Sequence, residues 1–286
     1  NLLADIKNCD VLHSSIGTRI AALHDLIKNL DQFDQIPQIE VARGDDETAL
    51  VFRHLLSLPD QDIEKLREFG KKYQFHIYLQ PTLPALVHKI WPEDNNNRLS
   101  YSLSDYSLTM QFHPMDFIQV NNEINQQIIK RALSLLDIQS KETVLDLFCG
   151  LGNFTLPIAR YAKHVTGIEG SKEMVARADE NARLNHISNT TFYTANLMDP
   201  PKAAAWIQQQ YDKILLDPPR TGAKEIIAFF PLFNAKKIVY VSCNPATFAR
   251  DAKELVSAQG YTLTDIGVAD MFPQTSHIEV VALFQK

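Results

Sequence analysis

Cys243 ends the apolar run Ile238-Val239-Tyr240-Val241-Ser242 and stands directly before a helix-compatible segment, residues 246–258. A thiol at that junction can act as a nucleophile, because the first turn of the following helix favours the thiolate and is expected to raise the ionised fraction above the few per cent usual at neutral pH. Further on, His277-Ile278-Glu279 supplies a carboxylate that could take a proton. Upstream, Val144-Leu145-Asp146-Leu147-Phe148-Cys149-Gly150-Leu151-Gly152-Asn153-Phe154 reads as a strand and a loop whose glycines let backbone approach a ligand. Thr155 occupies the place of the third glycine of a GxGxxG motif, which disfavours an ordinary dinucleotide site. Glu169, at the end of the next strand, is placed to accept hydrogen bonds from ribose hydroxyls, and Asn196 and Asp217 end later strands. Each residue also has a plainer use: a free cysteine is often inert and buried, and Glu169 or Asn196 could merely cap a loop or helix. Their recurrence at strand ends favours a nucleoside-containing cofactor. Cys149 reads as a packing residue, and Cys9 has no nearby partner in the sequence.

The elements that must position these groups follow from periodicity. Strands are expected at 143–148, 164–169, 190–194, 211–217, 237–242, 262–269 and 279–284, and helices at 122–136, 171–184, 224–232 and 246–258. Such alternation implies a Rossmann-like α/β architecture, a mostly parallel sheet covered by helices, with ligands at the carboxyl ends of the strands. The last strands, joined without a clear helix, are expected to form an antiparallel edge. Ahead of a polar, turn-rich stretch at 92–98, the sequence suggests a small α/β module over residues 1–97: a helical pattern at 11–30, strands at 38–42 and 49–54, a helix at 60–73 and a strand at 76–80. Residues 99–112 alternate like a short hairpin around Ser104-Asp105, and the second domain is read as 98–286.

With 286 residues, 45% of them hydrophobic, the chain can bury a substantial core in two domains, and no apolar run approaches the length of a bilayer span. Three cysteines cannot all pair internally, which favours a reducing cytoplasm. The net charge of −6 argues at first against nucleic acid, yet residues 1–97 hold 10 Lys/Arg against 15 Asp/Glu while residues 98–286 hold 18 against 19. The second domain is thus nearly neutral. The first residue, Asn1, is not a natural start, and a piece of a longer protein is expected.

Five segments in fixed order, Asp116-Phe117-Ile118-Gln119-Val120-Asn121, Asp146 to Phe154, Asp217-Pro218-Pro219-Arg220, Ser242-Cys243-Asn244-Pro245-Ala246-Thr247 and Asp270 to Glu279, resemble the bacterial RNA 5-methyluridine methyltransferases over essentially the whole chain. The resemblance implies a class I S-adenosylmethionine-dependent fold. It implies Gln119, Phe148, Asn153, Glu169, Asn196 and Asp217 around S-adenosylmethionine, Cys243 as nucleophile, Glu279 as base, and Phe117 against the target base, where simple packing is the alternative. Within the family it points to uracil-1939 of 23S ribosomal RNA as the target, with another 23S uridine or a transfer-RNA uridine as alternatives. A non-catalytic RNA-binding module is the reading from another class, which the presence of both Cys243 and Glu279 disfavours. Arg220, where amino-group methyltransferases commonly carry an aromatic, favours carbon methylation. His277 and His113 are read as orienting or packing groups.

Longer members of the family begin with a small β-barrel RNA-binding domain and hold a [4Fe–4S] cluster on four cysteines. Asn8-Cys9-Asp10 resembles the last ligand of that set, the other three and the barrel are not in this sequence, and the cluster is expected only in the full-length protein. The resemblance further implies a cytoplasmic enzyme with ribosomal RNA as partner and no membrane attachment, and a monomer is favoured.

Overall fold

The computed structural model describes residues 6–81, 86–272, 275 and 277–286. Its chain divides into two compact units, Asn1–Tyr101 with Gln111–Asp116, and Ser102–Met110 with Phe117–Lys286. The first opens with α1 (Ser14–Gly17) and α2 (Ile20–Lys28). The helical pattern at 11–30 is therefore interrupted, and a close chain contact explains it. The Cys9 N–H donates to the Gly17 carbonyl at 3.1 Å, and a Cβ on Gly17 would lie 2.3 Å from the Cys9 carbonyl oxygen.

Strands β1 (Gln38–Arg43) and β2 (Thr48–Arg53), helix α3 (Asp60–Tyr73), and strands β3 (Phe75–Gln80) and β4 (His88–Trp91) follow. They form a sheet in chain order, parallel only at β2 and β3, which α3 connects. Residues 49–52 are an unbroken apolar run because β2 is buried on both faces. Leu50, Phe52, Phe75, Ile77 and Leu79 meet Leu66 and Phe69 of α3 in one core. Asp62, buried in the first turn of α3, accepts the Asp31 and Gln32 N–H groups at 2.9 and 3.0 Å and pairs with Lys65 at 3.1 Å. Burial pushes its carboxyl up, but those two N–H groups and Lys65 together hold it below its ordinary value. The four-residue β4 is too short to show in the alternation of the sequence.

Strands β5 (Leu99–Leu103) and β6 (Leu108–Phe112) pair as a two-stranded sheet. The second unit then contains α4 (Asn122–Leu136), β7 (Thr143–Leu147), α5 (Thr155–Ala159), β8 (His164–Glu169), α6 (Lys172–Leu184), β9 (Thr190–Thr194) and β10 (Lys213–Leu216). After these come α7 (Lys224–Ile227), α8 (Phe230–Phe233), β11 (Lys237–Ser242), α9 (Pro245–Ser257), β12 (Thr262–Asp270) and β13 (Ile278–Gln285). The helix expected at 224–232 is two short ones, because Pro231 supplies no N–H and sits in the first turn of α8. Helix α5, at five residues, was too short to be read from periodicity.

The large sheet runs β12-β13-β11-β10-β7-β8-β9, parallel from β11 to β9 with antiparallel β13 and β12 at one edge. Alternate residues Leu145, Leu147, Ile214, Leu216, Ile238 and Tyr240 of the central strands join Trp206, Phe230, Phe233 and Phe248 in one apolar layer. Helix α4 packs on β11 and β13, α5 and α6 on β8 and β9, and α9 on β12. The chain leaves the sheet centre in opposite directions from β7 and β10, so the crevice beyond their carboxyl ends is the switch point where ligands bind in open α/β sheets.

Candidate active site

Strand register assembles the site. Leu147 pairs with Ile168 of β8 and Leu216 of β10, which sets Phe148, Glu169 and Asp217 beside one another at the strand ends, Glu169 as the last residue of β8 and the other two just past theirs. Ser242 of β11 pairs with Val280 of the antiparallel β13, so Cys243, leaving one strand, lies next to Glu279, entering the other. Residues 36 positions apart in the sequence thus meet at one edge of the sheet.

The glycine loop is built for close approach. Phe148, Gly150 and Gly152 have φ of 65°, 55° and 94°, the left-handed region that a side chain tolerates poorly. A Cβ on Gly150 would find only the Met174 Cε, at 3.7 Å, which leaves the backbone open on that side. The loop is held from below: Glu169 accepts the Gly150 and Ser171 N–H groups at 3.2 and 2.9 Å, and Asn181 donates to the Leu151 carbonyl at 3.3 Å. Asn153 and Asn125 of α4 exchange two amide hydrogen bonds, at 2.8 and 3.1 Å. Asp146, 0% exposed, accepts the Thr155 hydroxyl at 2.5 Å through Oδ2, while its buried Oδ1 has no hydrogen-bond partner among the described residues. Burial, with the Glu169 charge added and the Thr155 bond opposing, pushes its carboxyl up to about 7.

Cys243 is half-buried and Glu279 is 7% exposed. Burial lifts Glu279 to about 7, with the Arg220 guanidinium opposing. Burial also lifts the Cys243 thiol, and the Glu279 and Asp217 charges add to it while Arg220 opposes. This corrects the expectation of a thiol ionised by the helix terminus. Helix α9 does begin at Pro245 with Asn244 as its cap, accepting the Ala246 N–H at 3.1 Å, but desolvation first, and then the Glu279 and Asp217 charges, set the direction of the shift. Desolvation, then Glu279 and Asp146, push Asp217 well above the usual carboxylate range. The site holds several acids that resist ionising together.

Arg220 donates to the Nδ1 of His277 at 3.0 Å, and its carbonyl accepts from Asn244 Nδ2 and Thr247 Oγ1 at 3.0 and 3.1 Å. His277 is exposed and also meets Phe272 edge-on. Phe117 is 76% exposed, unlike a core aromatic, and Gln119 is half-buried just ahead of Asn121, which caps α4 by accepting the Ile124 N–H and donates to the Met271 carbonyl at 3.2 Å. Asn196 is exposed, and its side chain accepts the Met198 N–H at 3.0 Å. His113 belongs to the first unit; its Nδ1 accepts the Met115 N–H and its ring stands edge-on to Tyr78. Part of the Asp270 to Glu279 segment, residues 273, 274 and 276, lies outside the described residues.

Asn125, Asn181 and Asp251 were not singled out from the sequence. A signal was present: each is a polar residue on the buried face of its helix, Asn125 with Ile128 and Ile129, Asn181 with Ala178 and Ala182, Asp251 with Phe248 and Leu255. Cys9 lies in the first unit, partly exposed. Among the described residues no three His, Cys, Asp or Glu side chains form a group able to hold a metal ion, so a lone Cys9 does not fit an iron–sulfur cluster by itself.

A parallel sheet of this order with an antiparallel edge, a glycine loop after its first parallel strand and an acid ending the next is the fold of S-adenosylmethionine-dependent methyltransferases. A general methyltransferase-domain model matches residues 138–280. The chain belongs to the tRNA (uracil-5-)-methyltransferase family, whose model matches residues 16–199. A Hahella chejuensis protein named 23S rRNA (uracil(1939)-C(5))-methyltransferase RlmD is 54% identical, covering 100% of this chain and 65% of that protein. The protein of the same name from Legionella pneumophila (strain Lens) is 47% identical, over 99% and 64%. The chain therefore spans slightly under two thirds of the length of these curated relatives. The solved Pyrococcus abyssi tRNA (uracil-54, C5)-methyltransferase, in complex with S-adenosyl-L-homocysteine, has the same fold, with a TM-score of 0.76 at 23% identity, over 99% of this chain and 70% of that one.

Proposed function

We propose that this chain is the catalytic part of an S-adenosylmethionine-dependent enzyme that methylates C5 of a uridine in 23S ribosomal RNA, uracil-1939, the position in its relatives' names. The observation that carries the reading is the β11–β13 register, which brings Cys243 and Glu279 together beside the Phe148, Glu169 and Asp217 row. The open loop at Gly150 and Gly152 and the unpartnered Oδ1 of Asp146 fit a polar cofactor. Gln119, Phe148, Asn153, Glu169, Asn196 and Asp217 would hold it, Glu169 having lone pairs left for the ribose after its two backbone bonds. Bound there, S-adenosylmethionine supplies a methyl group on a positively charged sulfur.

C5 of uracil is a weak nucleophile, and the two side chains answer that. Cys243 attacks as its thiolate, the thiol proton passing to solvent: Sγ bonds to C6, and the C5=C6 electron pair moves into an enolate that makes C5 nucleophilic. Once C5 carries the methyl group, Glu279 removes its proton; the C–H pair reforms C5=C6 as the Sγ–C6 bond breaks and the thiolate leaves. Glu279, raised to about 7, is matched to that task near neutral pH. The base must leave its stack to reach Cys243, and exposed Phe117 offers it a stacking surface.

In this reading residues 98–286 are the methyltransferase domain and 1–97 a module between it and the RNA-binding and cluster regions of a longer, cytoplasmic, monomeric protein, where Cys9 would be one cluster ligand. Among the described residues no helix is long and apolar enough to cross a membrane. The test is to incubate the complete protein with unmodified 23S ribosomal RNA and, separately, transfer RNA, with labelled S-adenosylmethionine, and to map the label. Label at C5 of uracil-1939 is expected; label confined to transfer RNA, or none with folded protein, overturns the target or the activity.

A further inference from the structure

Asp251 sits in the middle of α9, 1% exposed, eight residues after Cys243. Its Oδ2 accepts the backbone N–H of Ala223 at 2.7 Å and the Tyr240 hydroxyl at 2.8 Å, and its Oδ1 accepts Arg250 Nε at 2.8 Å. Arg250 also donates to the Thr221 carbonyl at 2.9 Å. One turn earlier, Asn244 and Thr247 hold the Arg220 carbonyl. The segment from Asp217 to Ala223 is thus fastened along α9 at three of four successive residues that accept or donate through their backbone, Arg220, Thr221 and Ala223. Gly222 makes the approach possible, with φ of 81° and a Cβ position only 2.5 Å from Asp251 Oδ2 and 2.4 Å from Arg250 Nη2. A helix interior ordinarily buries an apolar residue at this place, and a buried carboxylate needs several donors to be tolerated. Here one donor is a loop N–H, another is on β11, and the third reaches the same loop.

We propose that Asp251 is a positioning residue: it locks the loop bearing Asp217 and Arg220 to the β11–α9 corner bearing Cys243, so that thiol, acid and guanidinium hold one fixed geometry. The inference rests on the proposed function and deepens it. Asp251 touches no reacting atom; it acts through the loop backbone. Tyr240 also donates to the carboxylate but, among the described residues, its hydroxyl makes no hydrogen bond to the loop, which separates holding the loop from merely filling the core.

The experiment uses the complete enzyme with unmodified ribosomal RNA, following single-turnover formation of the covalent protein–RNA adduct per folded molecule, with the folded fraction taken from melting curves. Asp251→Asn retains the shape but faces an amide N–H toward one of the three donors. It is expected to slow adduct formation at saturating RNA by about tenfold or more while KM for RNA stays within about twofold, since misplacement of reacting groups lowers the chemical step. Tyr240→Phe, which spares the loop bonds, is expected to stay within about threefold of the parent rate. Should Asp251→Asn not fold, Arg250→Gln, at a partly exposed position, removes the guanidinium bonds to both Asp251 and the Thr221 carbonyl, and a fall of about threefold or more is expected. Parental rates in the folded Asp251→Asn or Arg250→Gln enzyme, or an equal loss in Tyr240→Phe, overturn the proposal. A Cys243→Ala enzyme that still methylates would instead overturn the underlying reaction, so the two failures are distinct.

Discussion

The two ends of the large sheet treat charge in opposite ways. At the amino end, Lys213 pairs with Glu142 at 2.5 Å and donates to the Asp137 carbonyl, Lys237 pairs with Asp137 at 3.3 Å, and Asp212 accepts the Thr143 N–H and hydroxyl at 2.8 and 3.2 Å. At the carboxyl end, Asp146, Asp217 and Glu279 are gathered with Cys243, and all four are pushed toward their neutral forms. Arg220 is the cation that opposes this at Cys243 and Glu279. The same strands therefore end in satisfied ion pairs on one side and in strained, closely spaced acids on the other. The difference teaches where to look for function: carboxylates that folding leaves poorly matched are available for chemistry.

Substitutions at the two ends should fail in different ways. The largest effect belongs to Cys243→Ala in the complete protein, which should give neither methylated RNA nor a denaturation-resistant adduct; normal methylation by the folded variant would remove Cys243 from the mechanism. Glu279→Gln should form the adduct and transfer the methyl group but release product slower by a factor on the order of 10²–10⁴, so a protein–RNA band accumulates on a denaturing gel. In the parent enzyme, release should rise with pH and level off above about 7, as Glu279 becomes ionised. A turnover rate equal to the parent's in Glu279→Gln would send the search for the base elsewhere.

At the amino end, Glu142→Gln should lower stability by about 1–3 kcal/mol in urea titrations, because it leaves buried Lys213 without its charge partner, while turnover per folded molecule stays within about twofold. Loss of turnover there would erase the contrast between the ends. The smallest effect is a slope. Asp146, pushed up to about 7, retains its proton in the folded state where the unfolded chain releases it near its ordinary value. Its contribution is present in full below about pH 4 and is lost as pH rises through about 7. Asp146→Asn should accordingly flatten the fall in stability between about pH 4 and 7 by about 1.4 kcal/mol per pH unit; an unchanged slope would show that the buried acid ionises freely.

Much of this was legible in order and type. The strands from 143 to 242 read as continuous apolar runs because the sheet is buried on both faces; helices join all of them except β9 and β10, and the motif residues fall at or near their ends. Short elements were not legible: α5 and α8 each carry a proline and span five and four residues, too few for a period to register. The anchors Asn125, Asn181 and Asp251 carry no such periodic signal because, along a helix, a polar residue on the apolar face looks like an interruption. Only when the loop opposite is in place does it become a partner.

What the sequence by itself determined is the set of chemical groups, the strand–helix order and the family, all of which depend on residue type and spacing along the chain. What tertiary structure alone decided is which groups share an environment. The β11–β13 register set Glu279 against Cys243, and burial beside Asp217 moved the thiol opposite to the direction its helix terminus suggested. The reason is that local dipoles are written in the chain, whereas desolvation and the charges of neighbours distant in sequence exist only once the sheet has closed around them.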